Sequence, residues 1–579
     1  MDELKKLNYI FTKKQKRESV YMLILIVIGS MLELIGVSAI MPLINAIMKP
    51  DRILESVACR KIYEYLHLQN ASQMIFVLLL MLILIYILKN AYLVFMYKQQ
   101  YRYIYANMRA LSTKMMQCYL YQPYLFHVEK NSAELLRNIN QDTGDFFGTI
   151  QALVHLATEG LVVIVLIMYL FVKDRSITMG IGVVMLVMLW MFRKVYKKYL
   201  LKTGDTNRYY EAQVTKWVQQ AFGGIKEVKV MNKEDFFYHK YDDAYAGRVK
   251  SEYTYHTMTS IPKPVIEAAC MVGLLGSVAI KIIRGVHPEY FVPTMSIFAV
   301  AAYRLLPSFN RITEYLGTIT YQKPAIDAIY KDLKEIEDLN KTRGMRERNV
   351  DSERLPFRHA ITIKDLTFHY PNTHRLVLDH VDMVIDKNTS VAFIGQSGAG
   401  KTTLADLILG VLVPSGGCVL ADDADIQKHL NEWHRTIGYI PQNIYLMDDT
   451  IRANIAFGIP DDQIDEIKLN NAVKRAQLSD VISELPQGLN TMVGERGIRF
   501  SGGQRQRIGI ARALYNEPDV LVLDEATSAL DNETEAAVME SIDALHGEMT
   551  LIIIAHRLST TQNCDHIFEI GKGGVIRKR

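Results

Sequence analysis

A chain of 579 residues has room for more than one domain, and its 49% hydrophobic and 22% charged composition is unevenly spread, with long apolar runs before about residue 312 and an ordinary soluble pattern after about residue 359. The net charge of +4 is too small to argue for a nucleic-acid partner. The five cysteines, Cys59, Cys118, Cys270, Cys418 and Cys564, form no CxxC pair and so indicate neither a zinc site nor a disulfide framework.

Residues 1–18 are too basic, and the apolar run that follows too long, for a cleavable signal peptide. Apolar stretches near 20–48, 74–97, 148–172, 176–192, 265–283 and 291–312 are each close to the ~20 residues that cross a hydrocarbon layer as a helix. Six spans return the chain to the side on which it starts. Lys5, Lys6, Lys13, Lys14, Lys16 and Arg17 place that side in the cytoplasm, as do Arg193, Lys194, Lys197 and Lys198 in a later loop, whereas Lys173-Asp174-Arg175 is a short external connection. Outside the membrane, Ile53 to Leu68 reads as a short amphipathic helix lying on its surface. The connections between spans two and three and between four and five mix apolar and polar residues at helical spacing, so the helices are expected to continue far into the cytoplasm.

The charge-rich residues 332–358 read as a helix tail and linker, dividing a membrane domain (1–331) from a soluble domain (359–579). The expected fold class is multi-domain: an all-α domain of six membrane helices followed by an α/β domain. In the latter, Ile361, Ile363, Leu366, Phe368 and Tyr370 open a strand-rich region, and alternating apolar runs predict a parallel sheet wrapped by helices.

Ser390–Ile394 has a buried-strand pattern, followed directly by Gly395, Gln396, Ser397, Gly398, Ala399, Gly400, Lys401 and Thr402, then Thr403 and the apolar Leu404, Leu407 and Ile408. This is GxxxxGK[ST] in its strand–loop–helix setting. The glycines let backbone N–H groups close on phosphate oxygens, Lys401 reaches the terminal phosphates of ATP, and Thr402 offers its hydroxyl to Mg²⁺. Asp519–Glu525 is a second buried strand ending in two carboxylates. Asp524 suits magnesium coordination, and Glu525 suits the base that polarises an attacking water. The Tyr370 ring is placed to stack on adenine, or is a plain strand aromatic.

Phe500-Ser501-Gly502-Gly503-Gln504-Arg505-Gln506-Arg507 resembles the signature motif of the ABC ATPases, with Phe500 where Leu is usual. Gln442 resembles the Q-loop glutamine, Ser528–Asp531 the D-loop and His556 the switch histidine, all in the family's order across 359–579. The resemblance implies ATP hydrolysis with Glu525, His556 and Gln442 as catalytic residues, and Mg²⁺ held by Thr402, Gln442 and Asp524. It also implies that Ser501, Gly502, Gly503 and Gln504 act on the ATP of a second subunit. With one P-loop and one signature motif per chain, two copies, or this chain and a paralogue, sandwich two nucleotides.

Gly494-Glu495-Arg496-Gly497 resembles the short loop of exporter-type members, and Pro123–Phe126 with Ser132–Leu136, and Gly224–Lys229 with Phe236-Phe237, resemble coupling segments. The chain is thus similar to an exporter-type half-transporter over nearly its whole length.

Ionisable residues within spans cost ~2.5–3.5 kcal/mol at a helix centre and mark functional positions. Lys89, Lys263, Arg304 and Arg311 are such residues. Arg304 and Arg311, seven apart, differ by only ~20° around a helix that Pro307 does not bend. Together they suit a wet basic cavity for a pyrophosphate headgroup. Alternatively, they pair with Glu33, Glu159 or Glu267, or Lys263 and Arg311 snorkel to an interface. Ala-Ala-Tyr303-Arg304-Leu-Leu-Pro307-Ser-Phe-Asn-Arg311-Ile resembles the sixth span of bacterial lipid-linked oligosaccharide flippases of the PglK type, although lysines stand at two positions where that group would have arginine. The resemblance implies a lipid or lipid-linked glycan as cargo, a homodimer, and a bacterial inner membrane. The alternative is an exporter of drugs, peptides or other lipids. The spans exclude a soluble ATPase acting on ribosomes or DNA.

Overall fold

The computed structural model describes residues 2–39, 57–67, 70–173, 197–283, 288–343, 353–371, 375–494, 497–524, 532–555, 561–571 and 574–579, with scattered positions besides. They form two compact units, Met1–Gln122 with His127–Gly344, and Pro123–Phe126 with Met345–Arg579.

The first unit is helical. Its elements are α1 (Asp2–Ile10), α2 (Lys13–Ser38), α3 (Val57–Tyr65), α4 (Ala71–Leu120), α5 (Ser132–Arg137), α6 (Thr143–Lys173), α7 (Lys197–Gly223), α8 (Ile225–Val230), α9 (Glu234–Ser260), α10 (Pro262–Ile283), α11 (Pro288–Tyr321) and α12 (Lys323–Arg343). Among the described residues, Lys13–Gly36, Ser72–Leu120 and Ser132–Val172 are long and apolar enough to cross a membrane. The last two apolar runs form α10 and α11, while the 176–192 run lies outside the described residues apart from isolated positions. At 1.5 Å per residue α4 is about 75 Å long, more than twice the ~30 Å hydrocarbon layer. Its apolar first half gives way to Lys98, Arg102, Arg109 and Lys114, as expected for a helix that leaves the membrane. Leu23, Ile24, Val27 and Ile28 of α2, and Phe76, Leu80, Ile83, Leu84 and Ile87 of α4, are exposed on this unit, a surface suited to lipid.

A π turn, Asn138–Asp142, joins α5 to α6. Within it the Asp142 carboxylate is buried and receives Arg208 of α7 through Nε (3.2 Å to each oxygen) and Nη2 (2.8 Å). Val162, Val163, Leu166 and Leu170 of α6 pack with Ile266 of α10 and Leu305, Phe309 and Ile312 of α11. At Gly204 helices α7 and α11 come so close that a Cβ would lie 2.1 Å from the Tyr321 carbonyl oxygen.

The second unit contains two sheets. β1 (Ala360–Phe368), β2 (Leu378–Asp386), β4 (Gly416–Ala421) and β5 (Ala424–Asp425) form an antiparallel sheet in the order β2-β1-β4-β5. β3 (Ser390–Ile394), β6 (Ile437–Ile440), β7 (Val520–Asp524), β8 (Thr550–Ile554), β9 (His566–Gly571) and β10 (Gly574–Arg577) form the larger one, ordered β10-β9-β3-β8-β7-β6 and parallel except at the β10 edge. The strand-rich start therefore forms a separate antiparallel sheet beside the expected parallel one. The residues explain why. β1 buries Ile361, Ile363, Leu366 and Phe368 and leaves Lys364 and Asp365 exposed, which suits a one-sided antiparallel sheet. β7 and β8 are buried at every position, as strands covered on both faces must be.

Residues 332–358 are expected to be a helix tail and linker. Leu333 and Ile336 are buried on α12, which runs on to Arg343, while Leu355 and Phe357 are buried in the second unit. The Asp422 carboxylate there accepts backbone N–H groups of Arg358 (2.7 Å), His359 (2.8 Å) and Ala360 (3.0 Å). Pro123–Phe126, the expected first coupling segment, falls in this second unit, with Leu125 packed on the same core as Leu404 and Leu407.

Candidate functional site

The loop after β3 has the backbone that its glycines imply. Gly395, Gly398 and Gly400 have φ of +143°, +75° and +105°, and a Cβ on Gly395 would lie 2.2 Å from the Ile570 carbonyl oxygen. Gln396, Ser397 and Gly398 are exposed, and Ala399 packs on the core. Helix α13 (Lys401–Ile408) starts at once with Gly400 as its N-cap, so its free N–H groups face the loop. Lys401 is buried, and its Nζ donates to the carbonyls of Gly395 (2.9 Å) and Gln396 (3.1 Å), which fixes the ammonium across the loop. Thr402 is exposed in the first turn. Thr403 is buried, and its hydroxyl lies 3.1 Å from that of Tyr370. Thr403, expected at the nucleotide, thus holds Tyr370 two residues beyond β1, with the Tyr370 ring edge-on to Phe368 at 5.0 Å.

The strand order brings the remaining candidates to one edge. β3, β8, β7 and β6 are parallel neighbours, so the loop at Gly395, the ends of β8 and β7, and Gln442 just past β6 all lie at the carboxyl edge of the sheet. That edge is where open α/β sheets place their ligands. Asp524 is the last residue of β7 and is buried, and Gln442 is exposed. Glu525, the D-loop Ser528–Asp531, His556 and the Glu495-Arg496 pair lie outside the described residues. A carboxyl that sequence reasoning missed is Asp406 on α13. Its pKa is pushed up to about 6; burial is the larger cause, and the neighbouring Asp524 carboxylate adds to it. The Thr402 hydroxyl, on an exposed residue, and the buried Asp524 carboxylate are oxygen donors of the kind that suits a hard divalent cation.

Helix α14 (Gly502–Leu514) carries the signature residues. Ser501 is its N-cap: the Ser501 Oγ accepts the Gln504 N–H (3.3 Å), and the Gln504 Oε1 accepts the Ser501 N–H (2.9 Å). Gln504, expected at the nucleotide, therefore closes a capping box. Gly502 and Gly503 form the first turn. Phe500 is buried in the core below, which accounts for an aromatic residue at a position where the family has Leu. Arg512 anchors the far end of the helix through the carbonyls of Tyr445 (2.7 Å) and Asn454 (2.8 Å).

In the first unit the cavity candidates differ from one another. Lys89 Nζ lies 3.2 Å from Glu33 Oε2, and both side chains are buried. Arg311 pairs with Glu159 at 2.5 Å. Lys263 is exposed in the first turn of α10, as is Glu267 one turn on. Arg304 lies on α11, which is unbroken through Pro307, but its side chain falls outside the described residues.

The comparisons with known proteins agree with this arrangement. A model described as ABC transporter transmembrane region matches residues 18–283, and one described as ABC transporter matches residues 378–528. The chain is 29% identical over 465 residues to the ATP-dependent lipid A-core flippase of Nitrosococcus oceani, covering 79% of this chain and 75% of that protein. It is 29% identical over 464 residues to the ATP-dependent lipid A-core flippase of Vibrio cholerae, covering 79% and 78%. Its fold matches the structure of a bacterial Atm1-family ABC exporter with ATP bound, with a TM-score of 0.73 at 23% identity, over 97% of this chain and 94% of that one. With a membrane region and an ATP-binding domain of the same family in one polypeptide, the chain belongs to the ABC transporters, as an exporter-type half-transporter that couples an ATPase to transport across a membrane.

Proposed function

We propose that the chain forms a homodimer in a bacterial inner membrane, with its ATPase domain in the cytoplasm, and flips an anionic glycan-bearing lipid. A polyprenyl-pyrophosphate-linked oligosaccharide is the first candidate. The observation that carries the cargo reading is the Arg311 guanidinium, which keeps 38% of its side chain exposed on the helix that also bears Arg304. Arginine binds phosphate groups bidentately, and a helix face with two of them is unsuited to lipid chains. The lipid A-core flippases among its relatives favour a second candidate of the same kind, a lipid A-core.

In this reading the loop Gly395–Gly400, Lys401 and Thr402 bind the phosphates of ATP, and Tyr370 stacks on the base. Glu525 takes the proton of the attacking water and His556 contacts the terminal phosphate. Ser501, Gly502 and Gly503 present the start of their helix to the partner's nucleotide. Thr402, Asp524 and Gln442 would hold Mg²⁺, which neutralises charge on the phosphate oxygens. Translocation in proteoliposomes tests the cargo. Transport of lipid-linked oligosaccharide or lipid A-core, with neither drugs nor peptides carried, is the expected result. Transport of drugs or peptides alone would replace this reading with that of a general exporter.

A further inference from the structure

Two cations of the membrane unit carry their own carboxylates, and the two pairs are built differently. Lys89–Glu33 is closed. Both side chains are buried, the ammonium also sits 4.6 Å over the Tyr86 ring, and Gly36 leaves room for the lysine stem, since a Cβ there would lie 3.2 Å from its Cδ. Arg311–Glu159 is lopsided. Glu159 is 4% exposed while Arg311 is 38% exposed. The Glu159 Oε1 receives the guanidinium, but Oε2 is buried with no hydrogen-bond partner among the described residues. A buried carboxylate oxygen without a donor is costly, and a guanidinium has five N–H donors, more than one oxygen can use. One helical turn away His155 stacks on Tyr315 at 5.4 Å and 25°, with the Tyr97 and Tyr101 rings at 6.3 and 6.1 Å. That aromatic rung holds α6 and α11 at a fixed spacing, so the half-satisfied pair cannot relax by closing the gap.

We infer that Glu159 is an internal counter-ion which an anionic headgroup must displace from Arg311, making it a residue that sets the charge threshold for cargo. This rests on the anionic-lipid reading above. A phosphate monoester carries somewhat more charge and one more acceptor oxygen than the carboxylate it displaces at Arg311, so that exchange gains modestly. A pyrophosphate brings more charge and more acceptors, and wins the exchange. Glu159 therefore discriminates against weakly anionic lipids, while the closed Lys89–Glu33 pair stays intact.

The test uses the full-length transporter in phosphatidylcholine nanodiscs, with ATPase stimulation titrated by farnesyl pyrophosphate, farnesyl monophosphate and farnesol. In the unsubstituted protein the pyrophosphate should act at lower concentration than the monophosphate. In Glu159→Gln the half-saturating monophosphate concentration should fall about three- to tenfold, and the preference for pyrophosphate should shrink. In an Arg311→Gln background the same change should have no effect. A Glu159→Gln protein of normal thermal stability with an unchanged preference would overturn the counter-ion role and leave the anionic-lipid reading standing. If Glu159→Gln fails to fold, Glu159→Asp, which keeps the charge, should retain the preference, and its loss there would overturn the inference. Failure of all three compounds to stimulate the unsubstituted protein removes the anionic-lipid reading and the inference with it.

Discussion

The hydroxyls of Tyr370 and Thr403 lie 3.1 Å apart, which ties the aromatic ring beyond β1 to the helix that starts at Lys401. The ring position is thus set from the same helix as the phosphate loop. Tyr370→Phe, which keeps the ring and loses the hydrogen bond, should weaken ATP binding only about two- to fivefold. Tyr370→Ala, which removes the stacking surface, should weaken it about tenfold or more. Equilibrium binding of a fluorescent ATP analogue measures both. Equal, small effects would leave Tyr370 as a packing aromatic beside Phe368.

Ser501 has a local task as well as a proposed one at the partner's nucleotide, and three substitutions separate them. Ser501→Ala loses the cap at about 1 kcal/mol and should lower both stability and hydrolysis. Ser501→Asp keeps a good cap but sets a negative charge against phosphate, so hydrolysis should fall with stability retained. Ser501→Thr should be mild in both. Thermal unfolding and ATPase rate are read side by side, and full activity in Ser501→Asp would remove the partner-site role.

Replacing Glu525 by Gln keeps the shape of the side chain and removes the proposed base. Hydrolysis should fall by ~10²–10⁴-fold while ATP binding persists, and the nucleotide-bound dimer should accumulate on size-exclusion chromatography. Turnover near that of the unsubstituted protein would take Glu525 out of its role.

The Arg208–Asp142 pair secures the π turn to α7. Asp142→Ala leaves Arg208, and Arg137 at 3.5 Å, without that carboxylate. The loss should be about 2–3 kcal/mol, below that of a fully buried pair because Arg208 retains some solvent. Fluorescence-detected thermal unfolding in detergent should show the membrane unit melting earlier. An unchanged melt would mean that the pair contributes nothing.

Converting Arg304 and Arg311 together to Ala should abolish flipping of the anionic lipid and its stimulation of ATPase. Arg→Lys at the same positions should be milder, since lysine keeps the charge and loses the planar fork. Proteoliposome translocation is the measurement, with ATPase recorded in the same preparation. Normal flipping by the double Ala variant would return the chain to the general-exporter reading.

What could be read from the sequence was local. The strand, loop and helix around Lys401 are contiguous, and so are Ser501 and its helix, so the pattern of residues determines them directly. The apolar alternation along β1 was legible as strand, but strand content alone does not say which sheet a strand joins. The spacing Ser501-x-x-Gln504 carried a capping-box signal that the family motif obscured. The ion pairs were legible only as alternatives: Glu33, Glu159 and Glu267 could be named as partners for the span cations, but not which cation takes which. Lys89 meets Glu33 across 56 residues and Arg311 meets Glu159 across 152, and nothing in the local sequence chooses among the available carboxylates. Tertiary packing makes that choice.

The π turn Asn138–Asp142 also acts as a phase setter for the helix that follows it. A π turn takes in one residue more than an α turn, and each residue of a helix advances the side-chain direction by about 100°. Every side chain of α6 therefore points where it does because of a five-residue irregularity near its start. Deleting one residue within it would restore α hydrogen bonding and rotate the rest of the helix by about 100°. Glu159 would turn off Arg311, His155 would leave Tyr315, and Val162, Val163 and Leu166 would swing out of their core together. The azimuth of the whole of α6 is thus encoded in the turn that precedes it.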